Sequence, residues 1–143
     1  MTVKAILDAK GRNVVTIGPD KKLADAAQLL SERGIGAIVV TEADDRIAGI
    51  LSERDIVRVI GRDGAGALEQ TISKVMTSKV QRCHEQNTIN EVMQIMTTGR
   101  FRHLPVEESG KIAGIISIGD VVKKRIEEVE REAEDIRSYI ATA

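Results

Sequence analysis

Two short segments hold the side chains of this sequence that are best suited to chemistry. Both follow the pattern Gly-apolar-apolar-Ser-x-x-Asp, over Gly49–Asp55 and again over Gly114–Asp120. In each, an apolar run ends and a helical pattern begins, which places the serine and the aspartate at a helix N-terminus. Free N–H groups and the helix dipole suit a phosphate there, and the serine hydroxyl can donate to it. The aspartate can accept hydrogen bonds from both hydroxyls of a ribose.

The same spacing also has a structural interpretation. Ser-x-x-Asp at a helix start is typical of a capping box, in which the serine and the acid satisfy each other's backbone N–H groups. A single copy favours this interpretation. Two copies at matching positions favour a ligand, and Gly49 and Gly114 would allow the backbone to approach it closely.

The two segments occupy equivalent positions of an internal repeat. Val14–Val40 aligns with Val80–Val106 at an offset of 66 residues, and Ile47–Ile50 aligns with Ile112–Ile115 at an offset of 65. The single-residue deletion falls in a polar turn, where a repeat tolerates one. Each copy predicts the order β-α-β-β-α. The predicted strands are Val14–Ile17, Ala37–Thr41, Ile47–Leu51, Val80–Cys83, His103–Val106 and Lys111–Ile116.

This pattern predicts an α+β fold of two repeats related by pseudo-twofold symmetry, with their sheets packed together and a cleft between them. The strands that flank each turn are almost wholly apolar, so each sheet needs a cover on its second face. We place the first domain at residues 1–66, the second at 67–126 and a helical extension at 127–143. Gly61–Gly66 is predicted to be a flexible linker, followed by a short helix over Ile72–Met76.

The composition excludes several classes of protein. Of the 143 residues, 42% are hydrophobic and 30% are charged, with a net charge of −1, which indicates a folded protein without a nucleic-acid footprint. No apolar run approaches the roughly 20 residues of a membrane helix and no secretory signal is evident, so we expect a cytoplasmic protein with no membrane partner. Cys83, His84 and His103 lack the spacing of a zinc site, and no nucleophile is paired with a base. We therefore predict neither a metal nor catalytic residues.

On these motifs, together with Ile17–Asp20 and Arg102–Val106, the chain resembles a tandem pair of cystathionine-β-synthase (CBS) domains, a Bateman module of the stand-alone bacterial type. The resemblance spans the chain from Val3 to Ile126. It implies that an adenosine-containing ligand binds in the cleft, namely AMP, ADP, ATP, NAD(H) or S-adenosylmethionine. It further implies that the module regulates a partner protein and requires no other cofactor.

The resemblance also implies roles for individual residues. Asp55 and Asp120 would hold ribose, whereas Ser52 and Ser117 would hold phosphate. The first-strand positions 14–15 and 80–81 would border the adenine. The further positions assigned to the ligand site are Val14, Val15, Thr16, Gly36, Ala37, Ile38, Arg54, Val80, Gln81, Arg102, His103, Pro105 and Gly119.

The two repeats differ in charge at this site. Arg102 and His103 of the second repeat align with Gly36 and Ala37 of the first. Because residues of one repeat cross the cleft to the other in this family, the first-repeat pocket would gain arginine side chains, and we expect it to take the more highly charged ligand. The second-repeat pocket is expected to bind weakly or to hold a short phosphate tail. Its candidate cations are Arg12, Lys123 and Lys124.

The C-terminal segment repeats apolar side chains at heptad spacing, which predicts a homodimer formed through this seam. The seam consists of Val122, Ile126, Val129, Ala133, Ile136 and Ile140. The alternative is a long helix that lies on its own domain. Two alternatives to a nucleotide sensor also stay open: a structural dimerisation adaptor with no physiological ligand, and an enzyme that uses a nucleotide.

Overall fold

The computed structural model describes residues 1–142 and confirms a mixed α+β fold with a long C-terminal helix. The helices are α1 (Val3–Lys10), α2 (Leu23–Arg33), α3 (Glu53–Asp63), α4 (Ile72–Val75), α5 (Ile89–Gly99) and α6 (Ile118–Thr142), with a 3₁₀ helix at Ala65–Glu69. The strands are β1 (Thr16–Ile17), β2 (Ala37–Thr41), β3 (Ile47–Ser52), β4 (His103–Glu108) and β5 (Lys111–Ser117). In one sheet, the central β2 pairs with β1 in parallel and with β3 in antiparallel orientation; β4 and β5 form a second sheet.

The described residues divide into two compact units. The α1/α6 unit comprises Met1–Arg12, Arg82–Val106 and residues 114–142. The α2/α3 unit comprises Asn13–Gln81 and Glu107–Ala113. Helix α1 therefore packs with elements of the second repeat. The domain boundaries predicted from the repeats, at residues 66/67 and 126/127, describe sequence units and remain a prediction.

The core of the α2/α3 unit forms where helices α2 and α3 cover the sheet. Strand β2 is buried along its whole length because it lies between two other strands. Helix α2 ends at Gly34, whose φ of 61° is the left-handed conformation that glycine adopts without steric cost. The buried core residues are Leu23, Ala26, Leu30, Ile38, Val40, Leu51, Ile56, Val59, Ala67 and Ile72.

In the α1/α6 unit, α6 packs against both α1 and α5. Val121 is 1% exposed and anchors the start of α6 in this core. The other buried hydrophobic side chains of the unit come from α1, α5, β4 and β5 and from the segment that precedes α5. They are Val3, Ile6, Leu7, Cys83, Ile89, Val92, Met96, Leu104, Val106 and Ile116.

Helix α1 was not among the elements predicted from the sequence. Its buried residues Val3, Ile6 and Leu7 follow helical spacing, and Gly11 ends the helix with a φ of 99°. Thr2 forms a bridge to Thr88, which holds the start of α1 beside the start of α5. The missed signal was therefore present in the sequence, although the segment is short.

Three sequence predictions need correction. The predicted linker Gly61–Gly66 is structured, because α3 continues to Asp63 and the 3₁₀ helix begins at Ala65. The predicted strand Val14–Ile17 is reduced to the two residues of β1. The predicted strand Val80–Cys83 is only a single parallel bridge between Cys83 and Val106.

Among residues 1–142, none of the helices combines the length and the apolar character needed to cross a membrane.

The two repeated glycines are explained by packing within each unit. A Cβ atom on Gly49 would lie 2.7 Å from Met76 Sδ and 2.7 Å from the carbonyl oxygen of Thr77. A Cβ atom on Gly114 would lie 2.8 Å from a methyl carbon of Leu7. This packing, rather than close approach of a ligand, accounts for glycine at both positions.

We predict that Gly49→Ala lowers the free energy of unfolding by about 1–3 kcal/mol, because the new methyl group overlaps a backbone carbonyl that cannot move freely. Gly114→Ala should cost less, since the flexible end of the Leu7 side chain can rotate away. Gly61→Ala is the control: nothing lies within 4 Å of its position in α3, and it should stabilise the helix. Denaturant unfolding measures all three, and equal effects at positions 49 and 61 would contradict the packing argument.

Candidate functional site

The two Gly-x-x-Ser-x-x-Asp segments form matching corners where a strand leads directly into a helix. We call them the Ser52–Asp55 corner, between β3 and α3, and the Ser117–Asp120 corner, between β5 and α6. The Ser52 N–H donates to Asp55 Oδ2 over 2.9 Å, and the Asp55 N–H donates to Ser52 Oγ over 3.2 Å. The equivalent distances at Ser117 and Asp120 are 2.9 Å and 3.1 Å. Both capping boxes are therefore formed.

Each corner also has hydrogen-bonding groups that its capping box does not use. A serine oxygen that accepts a hydrogen bond still carries its own proton, which it can donate. The first N–H of α3 donates to the carbonyl of Gly36 over 2.9 Å, and that of α6 donates to the carbonyl of Arg102 over 2.8 Å. Within residues 1–142, the next N–H groups, on Arg54 and Gly119, have no hydrogen-bond acceptor. Each corner thus offers a hydroxyl, one N–H and a carboxylate.

A capping box by itself does not identify a ligand site in this chain. Thr88 and Glu91 form the same reciprocal pair at the start of α5, with distances of 3.1 Å and 3.1 Å. Asp25 likewise accepts from the Lys22 N–H at the start of α2, over 3.2 Å. The two corners differ from these helix starts in that each directly continues a strand, so the distinguishing signal is position and duplication.

The Ser117–Asp120 corner contains a cation that the sequence analysis missed. Lys10, at the end of α1, places Nζ 2.8 Å from Asp120 Oδ2 and 3.0 Å from the carbonyl oxygen of Ile115. Burial raises the pKa of Asp120, but hydrogen bonds from Lys10 and from the Ser117 N–H outweigh it, and the pKa lies below its ordinary value. The carboxylate of Asp120 is therefore already paired with the ammonium group of Lys10.

The cations predicted for this corner are largely engaged elsewhere in the α1/α6 unit. Arg12 pairs with Asp8 over 2.6 Å and with Glu85 over 2.8 Å. Lys124 pairs with Glu127, one turn along α6, over 3.1 Å. The role of Lys10 could only have been found after α1 had been predicted and placed beside β5.

The Ser52–Asp55 corner has a different electrostatic environment. Its nearest basic group is Arg58, whose Nη1 lies 3.5 Å from Asp55 Oδ1 while the side chain is 74% exposed. Asp55 itself is 13% exposed. Arg54 lies beside Arg58 on an open surface depression of α3. Within residues 1–142, this corner therefore has exposed arginines nearby and no lysine paired with its carboxylate.

The remaining predicted site residues lie in the strands and loops that precede the corners. In the α2/α3 unit, Ala37 pairs with Ser52 in the β2–β3 register, and the Gly36 carbonyl accepts from the start of α3. Ile38 is fully buried in β2, and Thr16 pairs with Val39. Val14 and Val15 precede β1, and Val80 and Gln81 follow α4.

In the α1/α6 unit, the predicted residues gather at the start of β4. Arg102 accepts from Ile118 through its carbonyl, and His103 begins β4. The Pro105 carbonyl accepts from the Cys83 N–H over 3.0 Å. Contact of these residues with a ligand stays a prediction. No group of three or more histidine, cysteine or acidic residues in the described part of the chain is arranged to hold a metal ion.

Comparison with known proteins identifies the family of this architecture. The model of the CBS domain matches residues 3–62 and 72–127. The crystal structure of the CBS-domain protein ATU1752 from Agrobacterium tumefaciens is similar with a TM-score of 0.84 and 54% identity, covering 87% of this chain and 99% of that one. A 17.7 kDa protein of Acidianus ambivalens is 35% identical over 112 residues, which are 77% of this chain and 66% of that protein. The present chain therefore spans just under two thirds of that relative's length.

A more distant structure has the same fold. The CBS domain pair of protein MJ0100 was solved in complex with 5′-methylthioadenosine and S-adenosyl-L-methionine. It has a TM-score of 0.79 and 21% identity, and the match covers 90% of this chain and 98% of that one. At this identity the likeness concerns the fold alone.

We predict that Asp120→Asn lowers the free energy of unfolding at neutral pH and flattens its decline in acid. Because the folded pKa of Asp120 is lowered, its stabilising effect is complete above the unfolded pKa and is lost as the pH falls through the folded value, below about pH 4. Denaturant unfolding between about pH 7 and pH 3 measures the effect. Exposed Asp135 of α6 is the matched control, and an Asp135→Asn curve identical to that of Asp120→Asn would contradict the assignment.

Proposed function

Because the chain belongs to the CBS-domain family and carries two copies of its domain, we propose that it is a regulatory module that binds adenine nucleotides. The observation that carries the proposal is the doubled corner. Ser52 and Ser117 each keep a hydroxyl proton for donation, beside the carboxylates of Asp55 and Asp120. A ribose diol next to a phosphate matches this set of donors and acceptors. The adenosyl ligands held by the MJ0100 domain pair are consistent with it.

Ligand binding at the Ser52–Asp55 corner need not break the helix cap. Asp55 Oδ2 accepts from the Ser52 N–H, whereas Oδ1 has, among the described residues, only the long contact to Arg58 at 3.5 Å. A ribose hydroxyl can donate to Oδ1 while the box stays intact. The Ser52 hydroxyl and the Arg54 N–H are then the donors for a phosphate oxygen, and the basic side chain of Arg54 favours the more highly charged nucleotides. AMP, ADP, ATP and NAD(H) all carry the required ribose phosphate.

Regulation would follow from a difference in affinity. A nucleotide that binds one arrangement of the protein more tightly than another shifts the population toward the first. The size of the signal equals that difference in binding free energy. The altered arrangement would be recognised by a partner protein or expressed as a change of oligomer, and no chemical step on the nucleotide is required.

We further propose that α6 pairs two copies of the chain into a homodimer. Val121 packs inward, whereas Val122, Ile126, Val129, Ile136 and Ile140 are between 44% and 69% exposed. These exposed side chains recur at heptad spacing, and charged pairs such as Arg125 with Glu128, 3.0 Å apart, lie beside them. An apolar seam of this length is stabilised when a second helix covers it.

The nucleotide proposal predicts that AMP, ATP or NADH binds and raises the melting temperature. Ligand at 100 times its dissociation constant should add about 2.7 kcal/mol to the free energy of unfolding. Titration calorimetry should show that Asp55→Ala and Asp120→Ala each remove a different binding event. A wild-type chain that binds none of the three nucleotides would favour the dimerisation adaptor, and altered nucleotide after incubation would favour an enzyme.

The matched controls for these variants are Asp25→Ala and Glu91→Ala. Both acids occupy the same third helical position and accept from the backbone N–H that precedes their helices, α2 and α5. They remove a cap of similar strength, about 1 kcal/mol, without touching either corner. Nucleotide affinity should therefore fall only in the corner variants. Equal losses in all four variants would show that the corners act through helix stability alone.

The dimer proposal predicts that charge on the seam dissociates the protein. Ile136→Lys combined with Ile140→Lys should halve the mass measured by light scattering, because two lysines would be buried against their counterparts. Ser138→Lys combined with Ala141→Lys adds the same charge to exposed positions off the seam and should leave the mass unchanged. A wild-type mass equal to that of one chain would refute the proposed dimer.

A further inference from the structure

Helices α1 and α4 hold equivalent positions, each within its own unit. Thr2 forms a bridge to Thr88 before α5, and Thr71 forms a bridge to Lys22 before α2. Residues 22 and 88 are separated by the repeat offset of 66. Leu7 of α1 faces Gly114, just as Met76, which follows α4, faces Gly49. The segments Thr2–Leu7 and Thr71–Met76 therefore correspond at an offset of 69 residues.

This correspondence breaks down at the strand carbonyl beside each corner. In the α2/α3 unit, the Ile50 carbonyl accepts from the Thr77 backbone N–H over 2.9 Å. In the α1/α6 unit, the equivalent carbonyl, on Ile115, accepts instead from Lys10 Nζ over 3.0 Å. The same ammonium group lies 2.8 Å from Asp120 Oδ2. One corner is thus completed by a backbone group without charge, and the other by a lysine side chain.

The aligned residue of the α2/α3 unit does not make this contact. At the offset of 69, Lys79 corresponds to Lys10. Among residues 1–142, Lys79 forms no ion pair, and the only basic side chain paired with the carboxylate of Asp55 is Arg58, at 3.5 Å. A lysine held on the carboxylate is therefore specific to the Ser117–Asp120 corner.

We propose that Lys10 is the residue that distinguishes the two ligand corners, because it fills the remaining acceptor position of the capping oxygen, Asp120 Oδ2, and so weakens the binding of a ribose that engages both carboxylate oxygens. This inference rests on the proposed function. Asp120 Oδ2 already accepts from the Ser117 N–H and from Lys10, so a ribose that engages both carboxylate oxygens must displace the ammonium. At Asp55, within residues 1–142, Oδ2 accepts only from the Ser52 N–H, and the one cation near the carboxylate is the exposed Arg58, at the longer distance of 3.5 Å from Oδ1.

A ribose can displace the Lys10 ammonium from Asp120. The side chains of Lys10 and Asp120 are 38% and 26% exposed, so water can solvate the ammonium once it leaves. A partly exposed pair of this kind is weak and is screened by salt. The Ser52–Asp55 corner therefore fills first as nucleoside concentration rises, and the Ser117–Asp120 corner fills at a concentration a few times higher.

The test measures the affinity for adenosine. This ligand has a ribose but no phosphate, so its affinity reports competition at the ribose and not the attraction of lysine for phosphate. Asp55→Ala is used as the background, so that only the Ser117–Asp120 corner binds. Adding Lys10→Met should tighten adenosine binding about three-fold in titration calorimetry at low salt. The gain should shrink at high salt, and it should be smaller for 2′-deoxyadenosine, which brings one hydroxyl fewer. Lys10→Gln keeps a donor for the Ile115 carbonyl and serves if Lys10→Met is unstable.

Lys4→Met is the matched control for the Lys10 substitution. Lys4 lies on the same helix and pairs with Asp8 over 3.3 Å, with its side chain 63% exposed. Its removal should leave adenosine affinity unchanged. Unchanged or weaker adenosine binding in both folded Lys10 variants would overturn the inference while leaving the proposed function intact. Failure of the wild-type chain to bind any adenosine, AMP or ATP would instead refute the proposed function, and the inference with it.

Discussion

The reciprocal hydrogen bonds between a serine and an aspartate are the constraint on which both corners depend. They fix the first turn of α3 and of α6 against the strand that precedes each helix. In each box the serine oxygen accepts and the carboxylate uses one of its two oxygens, so the hydroxyl proton and the second oxygen stay available. The structural and the ligand-binding interpretations thus use different atoms of the same side chains. A formed cap is therefore no evidence against a ligand.

Much of the fold could be predicted because its signals are local. The apolar runs of β2 and β3 lie within single segments, and the structure has both strands at nearly the predicted residues. Helices α2 and α5 each lie where the predicted order β-α-β-β-α has its first helix. Helix α1 was missed because its relation to the rest of the chain is not that of the main repeat. Thr2–Leu7 corresponds to Thr71–Met76 at an offset of 69, whereas the main repeat has offsets of 66 and 65.

Other features could not be predicted because they depend on contacts between distant residues. Gly61–Gly66 looked like a linker, yet an exposed glycine costs a helix only about 1 kcal/mol, and the buried side chain of Ala67 holds the following 3₁₀ helix in place. The contact between Lys10 and Asp120 joins residues 110 positions apart. No local spacing indicates such a pair, and two of the three cations predicted from the sequence, Arg12 and Lys124, pair with other acids.

The two capping boxes have the same hydrogen bonds, so any difference in the affinity of the two corners must come from groups outside the capping box. The Thr77 N–H that meets Ile50 belongs to a two-way backbone pairing, and a ligand could displace it only by breaking the hydrogen bonds between the two backbone segments. The Lys10 ammonium that meets Ile115 lies at the end of a flexible chain and can be rehydrated when it moves. A single lysine can therefore change the nucleoside affinity of one of the two duplicated corners while the fold around both stays the same.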